Sequence, residues 1–227
     1  VCVLTEEAGA AAAPVPLAST SAASWAQRSC STTTPILLPT LARADAPEPS
    51  SVSGEWPVVP YGAIADRLVV GAVAPDGSTS LVAIDAAGPG VDRSPLRPLD
   101  HGPAAAVRLA DAPVADVIDL GPDAATRFGS AIDLLHLFTA AELVGVASAA
   151  NSAACEYAAV RVAFDRPIGT FQAIKHRLVD QRAAIEVARA LVVRAADGVQ
   201  RGRSDAAALV SLAAFWAADE LQIGRST

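Results

Sequence analysis

The chain has 227 residues, of which 52% are hydrophobic and 18% charged, so it can bury a sizeable core in one or two domains. Its formal net charge of −7 argues against nucleic acid as a main partner, because phosphate binding needs a basic face. Three cysteines, Cys2, Cys30 and Cys155, are far apart and lack zinc-site spacing, which favours a reduced, cytoplasmic setting. The N-terminus lacks the basic start of a secretory signal, and no stretch of about 18 uncharged apolar residues predicts a membrane span.

The first thirty residues predict two short helices. An alanine-rich stretch around Glu6 and Glu7 precedes Pro14 and Pro16, which would end the first helix, and a second helix is expected near 17–28. The two glutamates are interpreted as part of an N-terminal helical turn rather than as catalytic carboxylates.

Residues 31–120 predict a small antiparallel sheet or half-barrel. Fourteen of the sixteen prolines fall within residues 1–120, and short β-like runs lie between turns. The runs cover 57–60, 67–73, 80–85 and 105–109. The segment 75–78, with the sequence PDGS, separates two of these runs and predicts a hairpin.

Residues 121–227 predict a helical bundle. Beyond residue 122 this zone contains one proline, Pro167, and its composition is otherwise helical. Asp123 can cap a first helix that extends to about 150 and continues, after a break near Asn151, toward a turn at 165–169.

A long helix is expected next, capped by Thr170 and ending near Ala196. Its apolar residues keep a heptad-like spacing interrupted only by Gln181, as in a bundle helix with one apolar stripe. A last helix is predicted at 204–221. The sequence thus predicts an α+β protein in three zones. These are short N-terminal helices (1–30), a middle β-domain (31–120) and a C-terminal helical bundle (121–227).

Arg161 and Gln172 form a candidate site at one corner of the bundle. Arg161 lies near the end of one predicted helix and Gln172 in the first turn of the next, so both can reach one point. A guanidinium fork suits a pyrophosphate, and a helix N-terminus adds positive potential. By themselves, an arginine and a glutamine at such positions are more often simply exposed.

The most specific part of the sequence is 157–180, which reads YAAVRVAFDRPIGTFQAIKHRLVD. It resembles the signature stretch of the C-terminal bundle of acyl-CoA dehydrogenases, with the same order of arginine, phenylalanine, proline–isoleucine, phenylalanine–glutamine and histidine. Weaker similarity at 4–17, 52–70 and 140–147 extends the resemblance over nearly the whole chain. The pattern resembles the actinobacterial members that degrade steroids and lipids and pair two unlike subunits.

The resemblance implies an incomplete acyl-CoA dehydrogenase fold and a flavin-dependent function. In this family a glutamate removes the α-proton of an acyl-CoA thioester, and FAD accepts the β-hydride. The matching arginine and glutamine contact the FAD of the neighbouring subunit. The resemblance therefore gives Arg161 and Gln172 these contacts, and places Phe164 beside the same cofactor.

The resemblance supplies no catalytic base within this chain. In most members the glutamate lies downstream of the position of Thr227, and in a few it lies at the position of Leu135, which cannot act as a base. His136 replaces a supporting arginine and can titrate near neutral pH, and Asp133 falls in the CoA-contacting segment. These two residues are candidates for substrate binding, although a surface histidine and a solvated carboxylate are the commoner roles.

The middle zone also departs from the family pattern. The loop 37–45 lacks the acidic, glycine-containing sequence that holds the flavin ring. The family's Trp-Ile-Thr run falls on Val58, Val59 and Pro60, so an aromatic wall and a hydroxyl donor are missing. Trp56 is expected to face the same side as Val58 in a strand.

Two functions of different classes remain open. The first is an acyl-CoA dehydrogenase-like subunit that shares FAD with a neighbouring subunit and depends on a fuller partner, in a homo- or hetero-oligomer, for the glutamate. The second is a structural or regulatory paralogue that binds no flavin, and a truncated relic of a gene is a weaker third reading. No metal site is predicted, and a fatty acyl chain and a steroid side chain are both compatible substrates.

Overall fold

The computed structural model describes residues 2–11, 22, 35–38, 40–98, 103–118 and 123–221. The predicted helix near 17–28 lies outside the described residues, apart from the helical Ala22. The chain divides into two compact units, one formed by Val1–Val15 with His136–Thr227 and the other by Pro16–Leu135. Both helices and strands are present, which confirms the predicted α+β class.

The unit at Pro16–Leu135 is built on an eight-stranded sheet. Its strands are β1 (Pro35–Leu37), β2 (Ala42–Ala44), β3 (Ser51–Val59), β4 (Arg67–Val73), β5 (Thr79–Asp85), β6 (Val91–Pro95), β7 (Ala105–Pro113) and β8 (Asp116–Ile118). The order across the sheet is β6-β7-β3-β2-β4-β5-β8, and β1 also pairs with β4. The long strands pair antiparallel, as predicted, whereas the three-residue strands β1 and β2 run parallel to β4.

The predicted hairpin at 75–78 joins β4 to β5. The two strands stay in continuous antiparallel register from the pair Arg67–Asp85 to the pair Val73–Thr79. Gly77 has a φ of +84°, a conformation that glycine adopts without steric cost, and its N–H donates to the carbonyl of Ala74. The hairpin predicted from the sequence of 75–78 is therefore confirmed.

The face of β4 at Gly71 is covered by the first turns of the long helix α2 (Ala124–Val160). A Cβ at Gly71 would come within 3.0 Å of the Phe128 ring and 2.7 Å of the Leu41 side chain. Five consecutive residues of β4 and four consecutive residues of β5 are buried, as in strands covered on both faces.

Trp56 and Val58 do not share a face of β3, so the expectation from simple alternation is wrong. Trp56 is 3% exposed and belongs to the core of the sheet, whereas Val58 is 58% exposed. The pairing of β3 with β7 shifts register between Trp56 and Val59, so Val59 rather than Val58 is the next buried residue of the strand. Trp56 lies over Gly54, where a Cβ would meet its ring at 2.6 Å.

The second unit is helical. It contains α1 (Cys2–Ala10), α2 from His136 onward, α3 (Gln172–Gln200) and α4 (Ala206–Glu220). Small side chains dominate its core, as shown by the buried Ala140, Ala141, Ala147, Ala188, Ala195, Ala213 and Ala217 beside Leu137, Val144, Ile185, Val192 and Val210. The apolar stripe predicted for the long helix is thus the buried face of α3.

The break predicted near Asn151 does not occur, because α2 is one continuous helix of 37 residues. Asn151 is buried, and its side-chain amide donates to the carbonyl of Leu178 at 3.2 Å and to the side-chain oxygen of Gln181 at 3.4 Å. The two polar residues that interrupt the apolar patterns therefore satisfy one another between α2 and α3.

Helix α1 packs on α2 at Gly145. A Cβ there would overlap the carbonyl oxygen of Glu6 and lie 2.8 Å from the backbone nitrogen of Ala10. Only glycine therefore permits this approach of the two backbones. The glycine within the stretch 140–147 thus allows the close packing of α1 on α2.

Glu6 lies in the middle of α1, so its predicted place in an N-terminal turn is wrong. Its carboxylate accepts a hydrogen bond from Arg189 of α3 at 2.8 Å. Arg189 also donates to Glu186 at 2.6 Å and lies 3.5 Å from the Ser148 hydroxyl of α2. The bond from Arg189 holds the pKa of Glu186 below its ordinary value, and the same bond raises the pKa of Arg189.

By length and composition α2 is apolar enough to cross a membrane. Half of its most apolar 18-residue window is buried inside the protein, as in the core helix of a soluble fold, and one such helix is weak evidence for a span. In the parts of the chain that the structure describes, no three side chains of His, Cys, Asp or Glu lie close enough together to hold a metal ion.

Candidate functional site

The candidate site lies where α2 ends and α3 begins. Between the helices stand two short strands, β9 (Val162–Ala163) and β10 (Arg166–Pro167), and a 3₁₀ turn at Ile168–Thr170. The N–H of Ile168 donates to the carbonyl of Arg161 at 2.8 Å. Backbone bonds therefore fix where Arg161 leaves the helix.

The 3₁₀ turn packs directly against the end of α2. A Cβ at Gly169 would lie 2.9 Å from the carbonyl oxygen of Ala158, so the glycine permits a close backbone approach. The Thr170 hydroxyl donates to the carbonyl of Pro167 at 2.7 Å rather than capping α3. The N-cap position of α3 is Phe171, which provides no side-chain cap.

The turn between β9 and β10 has a strained backbone. Phe164 and Asp165 have φ angles of +52° and +64°, which place both in the left-handed region. Each such residue costs roughly 1–2 kcal/mol when it is not glycine. Hairpin turns of this kind usually carry Asn-Gly, and strain of this sort clusters at functional sites.

The strained turn projects Phe164 outward. Its side chain is 89% exposed, and its ring meets that of Phe171 edge-on, with centroids 6.2 Å apart and planes at 86°. The guanidinium carbon of Arg166 lies 4.1 Å from the centroid of Phe171. An edge-on aromatic pair and a cation–π contact thus share the Phe171 ring.

Arg161 and Gln172 are both exposed at this corner. Within the described residues, neither the guanidinium of Arg161 nor the amide of Gln172 makes a hydrogen bond or an ion pair. The first N–H groups of a helix lack partners within the helix, and here no side chain caps them. Exposed donors therefore stand at both ends of the connection between α2 and α3, and Gln172 lies where the dipole of the 29-residue helix α3 is positive.

The corner is basic although the protein is acidic. Residues 157–182 contain five basic side chains and two acidic ones, in a chain whose net charge is −7. One of the five, Arg182, is paired with Glu186 at 2.8 Å, so four basic and two acidic side chains leave an excess charge of +2. All seven side chains are exposed. The five basic residues are Arg161, Arg166, Lys175, Arg177 and Arg182, and the two acidic residues are Asp165 and Asp180. An anionic ligand is favoured at this corner.

An apolar surface accompanies these charges. Tyr157, Val160, Val162 and Phe164 are each more than half exposed, and they lie within eight consecutive residues. Exposed apolar groups concentrated beside polar donors mark an interaction site rather than an ordinary surface. The arrangement suits a ligand or partner that brings aromatic surface and negative charge together.

The helical bundle that carries this corner matches a known domain. Residues 127–223 fit the family model described as the acyl-CoA dehydrogenase C-terminal domain. This C-terminal region belongs to the acyl-CoA dehydrogenase family. The resemblance predicted from 157–180 is therefore confirmed, and the family is one of FAD-dependent flavoproteins.

Individual acyl-CoA dehydrogenases resemble parts of the chain. Acyl-CoA dehydrogenase IpdE2 of Mycobacterium tuberculosis is 46% identical over 63 residues, covering 28% of this chain and 20% of that protein. Acyl-CoA dehydrogenase FadE27 of the same organism is 30% identical over 181 residues, covering 74% and 46%. The solved ChsE4–ChsE5 complex from M. tuberculosis gives a TM-score of 0.85 at 25% identity, over 97% of this chain and 66% of that chain. The chain thus spans less than half the length of both curated relatives.

Asp133 and His136 lie elsewhere on α2. His136 is exposed, Asp133 is partly buried one turn before it, and Leu135 stands between them. From His136 to Val160 the helix rises about 36 Å, at about 1.5 Å per residue. Arg161, Phe164 and Gln172 therefore lie within twelve residues at the junction of α2 and α3, whereas the two candidates for substrate binding lie more than six turns earlier on α2.

The stacking of Arg166 on Phe171 was not anticipated from the acyl-CoA dehydrogenase signature. Both residues stand within the recognised stretch, but their contact bridges the hairpin and the start of α3. The sequence contains one available signal, a phenylalanine directly before a helix where a capping residue is usual. The corner thus presents basic and amide donors next to exposed aromatic surface.

Proposed function

We propose that this chain is a subunit of an FAD-dependent acyl-CoA dehydrogenase and that its corner at 157–172 completes the flavin site of a neighbouring subunit. The observation that supports the proposal is that, within the described residues, the exposed guanidinium of Arg161 has no partner and the N-terminus of α3 has no side-chain cap. Residues 1–30, 31–120 and 121–227 correspond, in this proposal, to the helical, β and bundle domains of the family.

Arg161 and Gln172 act as polar ligands of the cofactor. The planar fork of Arg161 matches a pyrophosphate, and the start of α3 adds unbonded N–H groups and positive potential. Gln172 stands in the first turn of that helix and offers an amide to the same ligand. The local excess of two positive charges attracts the anion, although the net charge of the protein is −7.

Phe164 provides the apolar side of the same contact. Its ring is 89% exposed in the isolated chain, and burial against a cofactor or a partner subunit would remove that surface from water. The neighbouring Val160 and Val162 extend the surface and exclude water from the guanidinium. Exclusion of water strengthens the bond between Arg161 and a phosphate group.

The α,β-dehydrogenation itself needs groups beyond those seen here. Bound FAD supplies a hydride acceptor for the β-hydrogen of the acyl-CoA thioester. A base must remove the α-proton, and the position at which some family members have it is Leu135 in this chain. We assign the base to a partner subunit, so the chain alone is inactive in this proposal.

The partner is a fuller acyl-CoA dehydrogenase subunit. The ChsE4–ChsE5 relative is a complex of two named components, which supports pairing between unlike subunits. Asp133 and His136 remain proposed contacts of the acyl-CoA. The cysteine pattern supports a cytoplasmic setting, and degradation of fatty acyl or steroid chains fits the chemistry.

The visible absorption spectrum tests the proposal. The chain is purified alone and together with the acyl-CoA dehydrogenase paralogue encoded nearest to it, and we expect flavin absorbance in the pair. Arg161→Ala should weaken FAD binding by the pair about 10- to 100-fold, the loss of one charged hydrogen bond. Arg194→Ala is the matched control, because Arg194 is an exposed arginine on α3, about 33 Å along the helix from Gln172.

Two results would decide against the proposal. Absence of flavin from both preparations would favour the second candidate, a structural paralogue that keeps only the interface formed by the exposed apolar residues at 157–164. Equal FAD binding by the Arg161→Ala and Arg194→Ala pairs would show that Arg161 is not a ligand.

A further inference from the structure

We infer that Arg166 is a positioning residue, which by stacking on Phe171 holds the strained turn that presents Phe164. The stacking is inferred from the geometry of the corner alone. That the presented Phe164 ring serves flavin binding rests on the proposed function.

The hairpin that carries Phe164 has little intrinsic stability. Only two residue pairs join its strands, Ala163 with Arg166 and Val162 with Pro167. A short isolated two-stranded ribbon is marginal in water even with a favourable turn. Here the two turn residues, Phe164 and Asp165, both stand in the left-handed region without being glycine.

Burial does not compensate for this strain. None of the residues from Val162 to Pro167 is buried, and Phe164 and Val162 are among the exposed large apolar residues. Contacts outside the ribbon must therefore stabilise its conformation. These contacts include the bond from the N–H of Ile168 to the carbonyl of Arg161, the bond from the Thr170 hydroxyl to the carbonyl of Pro167, and the two ring contacts of Phe171.

Phe171 is the fixed element of this group. Its carbonyl accepts hydrogen bonds from the N–H groups of Ile174 and Lys175 in the first turn of α3, at 3.1 and 3.0 Å. Its N–H donates to the carbonyl of Ile168 at 3.1 Å. The ring is therefore anchored to the helix, and both sides of the hairpin reach it, Phe164 edge-on and Arg166 over its face.

The cation of Arg166 is committed to this ring. Among the described residues its guanidinium makes no hydrogen bond and no ion pair, not even with the adjacent Asp165. A role in stacking explains this placement better than a role in charge pairing. Because Phe164 and Arg166 share one ring, loss of the cation loosens the turn and gives Phe164 other orientations.

Amide hydrogen exchange on the isolated chain tests the stacking without any flavin. Arg166→Gln keeps a long polar side chain but removes the charge, and it should raise exchange at Ile168 and in the hairpin about two- to five-fold, the effect of an exposed cation–π contact. Arg166→Lys should restore protection in part, and Arg194→Ala should leave it unchanged. Exchange in the Arg166→Gln chain equal to that of the native chain would overturn the inference.

Flavin retention by the pair tests the purpose of the stacking. We expect Arg166→Gln to release FAD more readily than the native pair, and Arg166→Lys to retain more than Arg166→Gln. If Arg161→Ala lowers retention while Arg166→Gln does not, the inference about positioning fails and the proposed function stands. If neither the native pair nor its variants carry flavin, the proposed function fails, and hydrogen exchange alone decides whether Arg166 holds the turn.

Discussion

Replacement of Gly145 by alanine should loosen helix α1 from the bundle. In an ordinary helix position this change is stabilising by up to about 1 kcal/mol, because alanine has the higher helix propensity. At Gly145 the added Cβ would overlap the carbonyl oxygen of Glu6 and come within 2.8 Å of the Ala10 nitrogen. Both obstacles are backbone atoms, so no rotation of a side chain can relieve the overlap.

The magnitude follows from the two opposing effects. Overpacking of this kind typically costs about 1–3 kcal/mol. The helix-propensity gain of up to about 1 kcal/mol offsets only part of a cost at the upper end of that range. Displacement of α1 also separates Glu6 from Arg189, whose bond of 2.8 Å joins α1 to α3. Because both side chains of that pair are partly exposed, solvent screening keeps its own contribution to about 1 kcal/mol or less.

Gly129 on the same helix provides the control. A Cβ at Gly129 would have no neighbour within 4 Å, so Gly129→Ala should gain the helix propensity without steric cost. Hydrogen exchange of residues 2–11 is the direct measurement, with urea unfolding followed by circular dichroism as the second. We expect faster exchange of α1 and lower stability in Gly145→Ala, and neither effect in Gly129→Ala.

One result would refute this reasoning. If Gly145→Ala is as stable as Gly129→Ala and its α1 exchanges at the native rate, the two backbones do not meet at Gly145. The close packing of α1 on α2 would then be wrong.

Two further predictions concern the sheet. The Ser50 hydroxyl and the N–H groups of Ser51 and Ser50 lower the pKa of Asp45 to about 2 from its ordinary 3.8. The contribution of the Asp45 carboxylate to stability is thus present above pH 3.8 and lost as the pH falls through about 2. Asp45→Asn should remove this part of the dependence of stability on acid. A midpoint near 3.8 in an NMR titration of the Asp45 carboxyl would contradict the prediction. Gly90→Ala should destabilise the fold by about 1–3 kcal/mol more than Gly77→Ala. Both glycines have positive φ, but only at Gly90 would a Cβ strike a backbone atom, the carbonyl oxygen of Ala110 at 2.5 Å. Equal losses of unfolding free energy in urea would refute this prediction.

Much of the secondary structure could be predicted from local sequence. The run predicted at 67–73 is β4 with the same bounds, and the run at 80–85 differs from β5 by one residue. The long helix expected between Thr170 and Ala196 occurs at Gln172–Gln200. Turn chemistry and apolar periodicity act between near neighbours, so these features are legible without knowledge of the fold.

Other expectations failed where a distant partner decided the outcome. A break was expected near Asn151, but its amide finds partners on the next helix, in the carbonyl of Leu178 and the side chain of Gln181, and α2 continues unbroken. Trp56 and Val58 were placed on one face by alternation, and a register shift in the pairing with β7 separated them. Neither outcome is encoded in the residues immediately around it.

The sequence by itself determined the family, because the ordered residues at 157–180 form a pattern too specific to arise from composition or periodicity. It also brought Arg161, Phe164 and Gln172 to one corner, since a helix end, a tight turn and a helix start are adjacent in the chain. Only the tertiary structure decided that Phe164 stands almost fully exposed on a strained turn, with Arg166 stacked on the ring beside it. Side-chain exposure and stacking depend on how backbone segments approach in space, and that approach is set by packing rather than by the order of residues.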